Sequence, residues 1–129
     1  MRKLLARRGH ALVDCCAVLG LALAVPAARL EGPGRCAALA FVPAIALGIV
    51  TTRTPLGLLP RVPFRWHGRV EIASIAAQVA LPWLAGFADR PRERNFLLGL
   101  AAVNLLTWLA TDWTAPPQEV RAGLPGADR

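Results

Sequence analysis

Residues 66–89 have the sequence WHGRVEIASIAAQVALPWLAGFAD, and this stretch decides the fold. It begins with Trp66, places an acid four residues after a histidine, continues with apolar and small residues, and ends with a Pro-Trp and a Gly-Phe pair. Its apolar part is long enough to cross a bilayer as one helix. Residues 10–29 repeat the pattern less completely. The topology follows from this comparison, whereas the sequence specifies no reaction.

The composition sets the class of protein. The chain has 129 residues, enough for one domain, and its 55% hydrophobic content is high for a soluble domain of this size. Its net charge is +7, but the basic residues form short groups between the apolar segments. That distribution is typical of membrane-protein loops. We therefore expect the lipid bilayer, and no nucleic acid, as a partner.

Four apolar segments follow one another along the chain, at 11–28, 36–52, 70–88 and 95–111. Each is near the lower end of the length that crosses a bilayer as a helix, roughly 17 to 25 residues. A soluble helical bundle is the alternative, but its helices would each show a long polar stripe toward water, and these segments do not. The sequence therefore predicts an all-α polytopic membrane protein with four transmembrane helices.

The segments divide the chain into five regions. We predict a basic cytoplasmic N-terminus (1–10), two two-helix units (11–52 and 70–113), a Pro/Arg-rich interfacial link (53–69) and a disordered C-terminal tail (114–129). A cleaved signal peptide is the alternative for the first segment, but Asp14 interrupts its apolar part.

The distribution of charge predicts the orientation. Most of the Lys and Arg residues lie in the N-terminus (4), the link (4) and the tail (2), against 2 and 3 in the two short turns. Because positively charged loops stay on the cytoplasmic side, both termini are expected to be cytoplasmic.

The two halves of the chain share a frame of residues. The matching pairs are His10 with His67, Asp14 with Glu71, Arg35 with Arg94, and Thr52 with Thr111. The two members of each of the first two pairs are separated by the same number of residues. In the last two pairs the separation is two residues longer. This predicts two tandem two-helix repeats that are parallel and related by an axis along the membrane normal.

One motif resembles a known family. Leu81, Pro82 and Trp83 precede Gly86 and Phe87, and the stretch is similar to the Pro-Trp-hydrophobic-x-Gly-Phe run of small bacterial membrane proteins with the SPW repeat. The serine is replaced by leucine, and the first copy lacks the tryptophan. The resemblance implies a multi-pass protein of the bacterial cytoplasmic (inner) membrane with two-helix units, in a family without an established activity.

Two pairs of a histidine and an acid are the weak candidates for chemistry. His10 with Asp14, and His67 with Glu71, are four residues apart and so share a helix face. Imidazole and carboxylate groups bind transition metals and relay protons. The structural interpretation is favoured: an acid in the first helical turn complements the helix dipole, and the histidine is interfacial. No cofactor is predicted.

A polar stripe crosses the predicted third and fourth helices. Ser74 and Gln78 share a face of one, and Asn104 and Thr107 come to similar depths on the other. A hydrogen bond between Gln78 and Asn104 would contribute about 0.6 to 2 kcal/mol to helix packing. A polar substrate path is the alternative.

The sequence contains no recognisable catalytic motif. It has no P-loop, GxSxG or HExxH pattern, and its three cysteines form no CxxC. We expect a small membrane protein without a catalytic site, acting as a structural, assembly or accessory subunit in a homo-oligomer or a larger membrane complex. A small oligomeric transporter or channel is one alternative. A metal-binding or enzymatic membrane protein that uses the two histidine and acid pairs is the other.

Overall fold

The computed structural model describes residues 3–117, which form four α-helices and no strand. The helices are α1 (Arg7–Ala27), α2 (Gly32–Thr51), α3 (Phe64–Leu84) and α4 (Pro91–Ala110). The predicted all-α class is confirmed. Most of the tail that we expect to be disordered lies outside the described residues.

The helices begin earlier than the apolar segments. α4 begins with Pro91, because proline fits the first turn of a helix, where its missing N–H is not needed. α3 begins at Phe64, directly after its N-cap Pro63. As a result, Asp14 and Glu71 lie in the third turns of α1 and α3, and neither first turn contains an acid. The interpretation of these acids as first-turn partners of the helix dipole is therefore wrong.

The helices pack as two hairpins. α1 packs on α2 to form the first hairpin, and α3 packs on α4 to form the second. The first and last residues of α1 and α3 differ in number by the same offset as His10 and His67. Those of α2 and α4 differ by the same offset as Thr52 and Thr111. Two isolated parallel bridges, Leu5 with Thr111 and Val62 with Thr52, join the start of each hairpin to the end of the other.

The two ends of the bundle differ in chemistry. At one end, here called the link end, residues 4–5 form backbone hydrogen bonds with residues 110–112, and residues 53–62 form them with the end of α2. The Arg7 guanidinium joins these two groups, because it donates to Arg53 O and to Ala115 O. At the other, the turn end, residues 28–31 and 85–90 connect the helices of each hairpin. The apolar core runs from mid-bundle to the turn end and consists of Leu21, Val25, Leu30, Ala38, Phe41, Phe87 and Leu97. The two pairs of a histidine and an acid lie toward the link end, near the starts of α1 and α3.

Both turns close their preceding helix in the same way. Arg29 and Gly86 adopt the left-handed conformation, with φ of 51° and 70°. The backbone N–H of the next residue then bonds to a carbonyl five residues back, at 2.8 Å from Phe87 N to Pro82 O. This arrangement is a common helix C-cap. The Pro-Trp and Gly-Phe motif thus ends α3, with Pro82 and Phe87 buried and Trp83 exposed.

Two of the helices, α1 and α2, are long and apolar enough to cross a membrane. The mean hydropathy of α3 and of α4 is lower than that of α1 and α2, because each carries charged and amide side chains within its length, such as Arg69 and Gln78 in α3.

Candidate functional site

The four histidine and acid side chains meet between the hairpins at the link end. His10 Nε2 and His67 Nε2 each lie 3.3 Å from Asp14 Oδ2. Glu71 Oε2 lies 3.6 Å from His10 Nε2. The sequence places the two pairs on separate helices, and the approach of the two hairpins brings their side chains together. We call these four residues the histidine–acid cluster.

Two threonines orient the imidazole rings across the hairpins. His10 Nδ1 lies 3.0 Å from Thr111 Oγ1, and His67 Nδ1 lies 2.8 Å from Thr52 Oγ1. Each hydroxyl also donates to the carbonyl four residues earlier in its own helix, at 2.6 Å for Thr52 and 2.7 Å for Thr111.

This arrangement fixes the tautomer of both rings. A hydroxyl has one hydrogen, which is committed to the carbonyl, so the hydroxyl oxygen must accept from the imidazole Nδ1–H. In a neutral ring the lone pair is then on Nε2. Both Nε2 atoms then present a lone pair beside the Asp14 carboxylate, an arrangement of acceptors that a shared cation stabilises. An N–H held by a second residue is the usual way in which proteins orient a metal-binding histidine.

Aromatic rings cover the His10 side of the cluster. The rings of Trp113 and Phe64 lie 4.8 Å and 5.6 Å from the His10 ring, between centroids. Trp113 packs on Gly68, where an added Cβ would lie 2.7 Å from the indole. His10 is consequently 1% exposed.

The turn after α4 positions Trp113. Thr114 donates to the Asp112 carboxylate from its hydroxyl at 2.6 Å and from its backbone N–H at 2.9 Å. Both bonds lower the pKa of the Asp112 carboxyl, and the bond from the Thr114 hydroxyl has the larger effect. The Trp113 indole N–H donates to the Trp108 carbonyl at 3.1 Å. The ring is therefore held at both its backbone and its side chain.

The cluster has unsatisfied polar atoms and the dimensions of a metal site. Among the described residues, His10 Nε2 and Glu71 Oε2 are buried without a hydrogen-bond partner, which is unusual for buried polar atoms. One ligand atom each from His10, Asp14 and His67 lies within 4.8 Å of the others. Two imidazole nitrogens and a carboxylate suit zinc, iron and similar divalent ions. The residues present fit such an ion.

A cavity of about 140 Å³ adjoins the cluster. Asp14, His67 and Glu71 contribute to its wall, together with Ser74 and Asn104. The cavity therefore contacts three of the four cluster residues, and neither His10 nor the Phe64 and Trp113 rings line it.

The predicted polar stripe lies next to this cavity. Asn104 Nδ2 donates to Gln78 Oε1 at 3.1 Å, and Gln78 Nε2 donates to Ser74 Oγ at 3.4 Å. Thr107 lies apart from this chain of bonds, because its hydroxyl donates to Val103 O in its own helix at 3.1 Å. The two amides thus form a hydrogen bond between α3 and α4.

Sequence reasoning missed the roles of Thr52, Thr111, Phe64 and Trp113. The threonines appeared in the repeat frame, but only as markers of helix ends. Their signal was available: in parallel repeats, the end of each hairpin lies beside the start of the other, so a threonine there can reach a histidine. The aromatic cover carried no comparable signal in the sequence.

The chain matches no protein-family model, no curated protein and no solved structure. The resemblance to the SPW-repeat family therefore stays a prediction.

Proposed function

We propose that this protein is a small multi-pass membrane protein that holds one divalent transition-metal ion between its two hairpins. His10 Nε2, His67 Nε2 and the Asp14 carboxylate are the ligands, and Glu71 lies beside them. One observation carries the proposal: two hydrogen bonds that cross between the hairpins hold both imidazoles with Nε2 directed at the same carboxylate.

The distribution of side chains supports a membrane environment for all four helices. In α3 and α4 the polar Gln78 is buried, whereas several large apolar residues are exposed, namely Val70, Val79, Leu84, Val103 and Leu106. In water the hydrophobic effect favours the opposite arrangement. Four spans in two tandem hairpins, with membership of the SPW-repeat family and a bacterial inner-membrane location, form part of this proposal.

The link end gathers the segments that are predicted to be cytoplasmic. Residues 4–5 bond to residues 110–112, and the link pairs with the end of α2. The start of α1, the link and the end of α4 therefore share one side of the bundle, which supports placing both termini on the same side of the membrane. A reporter that is active only outside the cytoplasm, fused after Arg129, should stay silent; activity there would contradict this orientation.

The metal site is tested by titration of the purified protein in mild detergent. Wild-type protein should bind one Co²⁺ or Zn²⁺ per chain, because three neutral or anionic donors converge. His67→Ala should lose this binding, whereas Asp89→Asn, which alters an exposed acid at the turn end, should keep it. Wild-type protein without stoichiometric metal, or His67→Ala with unchanged binding, would overturn the proposal.

Such an ion would have a structural role. Its ligands come from α1 and α3, which belong to different hairpins, so binding would hold the hairpins together at the end opposite the main apolar core. This is consistent with an assembly or accessory subunit and requires no catalysis.

A surface on α3 favours assembly with another helix. Ala73, Ala76 and Ala77 are exposed in the chain, and small residues let membrane helices approach closely. We therefore propose a homo-oligomer or a larger membrane complex as the assembled form. Blue-native electrophoresis after mild extraction should show a species larger than the monomer, and a lone monomer would count against this form.

A further inference from the structure

The histidine–acid cluster is closed on one side and open on the other. The His10 side chain is 1% exposed beneath its aromatic cover, whereas the exposures of Asp14, His67 and Glu71 are 10%, 12% and 15%. These three residues line the cavity of about 140 Å³, and His10 does not. The accessible surface of the cluster therefore faces the cavity.

The cluster supplies three close donors, not four. The atoms that lie within 4.8 Å of one another come from His10, Asp14 and His67, and Glu71 is outside that set. Zinc sites with four protein ligands are closed, whereas sites with three keep a position for water or another small ligand. A metal ion held by the three donors has its remaining position on the side that they leave free.

Glu71 has an acceptor without a donor. Its Oε2 atom is buried and unpartnered among the described residues, 3.6 Å from His10 Nε2. A ligand with an O–H group at the free coordination position could donate to this oxygen. That bond would satisfy an atom that burial leaves without a donor.

The cavity has room for such a ligand. A water molecule occupies about 30 Å³ in the liquid, so the cavity accommodates a molecule of several heavy atoms. Ser74 Oγ accepts from Gln78, and no acceptor for its hydroxyl hydrogen is found within residues 3–117. It can therefore donate to a ligand that extends away from the ion.

We propose that the metal ion keeps an exchangeable coordination position that opens into this cavity and takes water or a small hydroxyl-bearing ligand, whose O–H donates to Glu71. The inference rests on the proposed metal site. The ion would then hold the two hairpins together and also exchange one of its ligands.

The test uses the full-length protein loaded with Co²⁺, whose visible absorption reports the ligands of the ion, and acetohydroxamate as the probe. The wild-type spectrum should shift saturably on titration. Ala44 lies on the cavity wall and is exposed, so Ala44→Leu should keep one Co²⁺ per chain and lose most of the shift. Ala40→Leu is the matched control, an exposed alanine one turn earlier and outside the cavity, and should respond as wild type does.

A further variant distinguishes the two roles open to Glu71. If it accepts from the bound ligand, Glu71→Gln keeps stoichiometric Co²⁺ and weakens acetohydroxamate binding; if it is a fourth ligand, the variant loses Co²⁺ affinity, which would overturn the inference. A wild-type Co²⁺ spectrum unresponsive to acetohydroxamate would also overturn it, as would an unchanged response in Ala44→Leu. Failure to bind Co²⁺ at all contradicts the proposed metal site instead, so the two failures are separable.

Discussion

The two hairpins contribute the same groups to the link end but cover them differently. Each supplies a histidine from its first helix and a threonine from the end of its second helix, and each histidine bonds to the threonine of the other hairpin. Trp113 follows the second hairpin and covers His10. At the corresponding position after the first hairpin, two residues beyond its threonine, the chain has Thr54, which has no ring. The matching histidines and threonines of the two hairpins orient the metal-binding nitrogen atoms. Because a tryptophan follows only the second hairpin, one side of the cluster stays accessible.

The hairpins differ again at mid-depth. Gln78 and Asn104 bond between α3 and α4. At the equivalent positions of the repeat frame, the first hairpin has Leu21 and Ile45, which belong to the apolar core or pack against it. Although their helices have matching lengths, the two hairpins thus pack differently at this depth. One uses a hydrogen bond between its helices, and the other uses apolar contact. The following predictions test which of these differences affect function or stability.

The largest effect is expected from the threonines that orient the histidines. Thr52→Val and Thr111→Val each remove the acceptor for an imidazole N–H, and loss of such an outer contact typically weakens metal affinity by about 10- to 100-fold. Similar losses in both variants would show that the hairpins contribute equally. Competition with a chromophoric chelator measures the affinity.

The chain provides a matched control at the neighbouring residue. Thr51 also donates its hydroxyl to the carbonyl four residues earlier, Leu47 O, but contacts no histidine. Thr51→Val should keep wild-type affinity, and a loss equal to that of Thr52→Val would refute the orienting role.

The aromatic cover is tested at Gly68. Gly68→Ala places a Cβ 2.7 Å from the Trp113 indole, so the ring must move. Overpacking of this kind costs about 1 to 3 kcal/mol of unfolding free energy, and it should also raise the solvent exposure of His10. Denaturant unfolding in micelles and indole fluorescence are the measurements.

Gly99→Ala is the control for this substitution, because nothing lies within 4 Å of an added Cβ there. It should be neutral or slightly stabilising, since alanine favours helix formation by about 1 kcal/mol over glycine. Equal destabilisation by both substitutions would mean that the contact with Trp113 does not cause the loss of stability.

The turn end provides a comparison of conformation alone. An added Cβ at Gly86 would meet nothing within 4 Å, yet its φ is 70°. Gly86→Ala should therefore cost about 1 kcal/mol through backbone strain. Arg29 has a φ of 51° at the corresponding place in the first hairpin, so Arg29→Gly should have a smaller effect, toward stabilisation. Thermal unfolding measures both, and equal losses would contradict the explanation.

The smallest effect is expected for the amide pair. A double-mutant cycle with Gln78→Leu and Asn104→Ile converts the pair to the residues of the first hairpin. The coupling energy should be about 0.6 kcal/mol, as is typical of hydrogen bonds between membrane helices. The single variants should each be less stable than the double variant, because each leaves one amide without its partner, the half-buried Asn104 or the buried Gln78. Zero coupling would show that the bond in α3 and α4 adds nothing to packing.

Much of the local structure could be predicted from sequence. The apolar segments gave four helices because their length and composition permit little else, and the frame around His67 and Glu71 indicated which residues share a face. The helix starts could not be found from hydropathy, because residues 64–69 are mostly polar and aromatic yet form the first turns of α3. The error moved both acids from the third turn to the first and so favoured the wrong physical role.

The candidate site could be predicted only in part. The spacing of four residues indicated two separate pairs of a histidine and an acid, and it contained no information on the distance between α1 and α3. Each threonine partner lies far from its histidine in the chain, or across the link from it, so only the parallel arrangement of the repeats connects the two positions, and no local spacing does.

By itself, the sequence determined the helices, their apolar character and the groups carried on each face, because these depend on residues within a few turns of one another. The tertiary structure alone decided that His10, Asp14, His67 and Glu71 form one cluster, that Thr52 and Thr111 point both Nε2 atoms toward it, and that one side stays open. Those features depend on how two hairpins that are distant in the chain approach each other. Packing, and not local propensity, sets that approach.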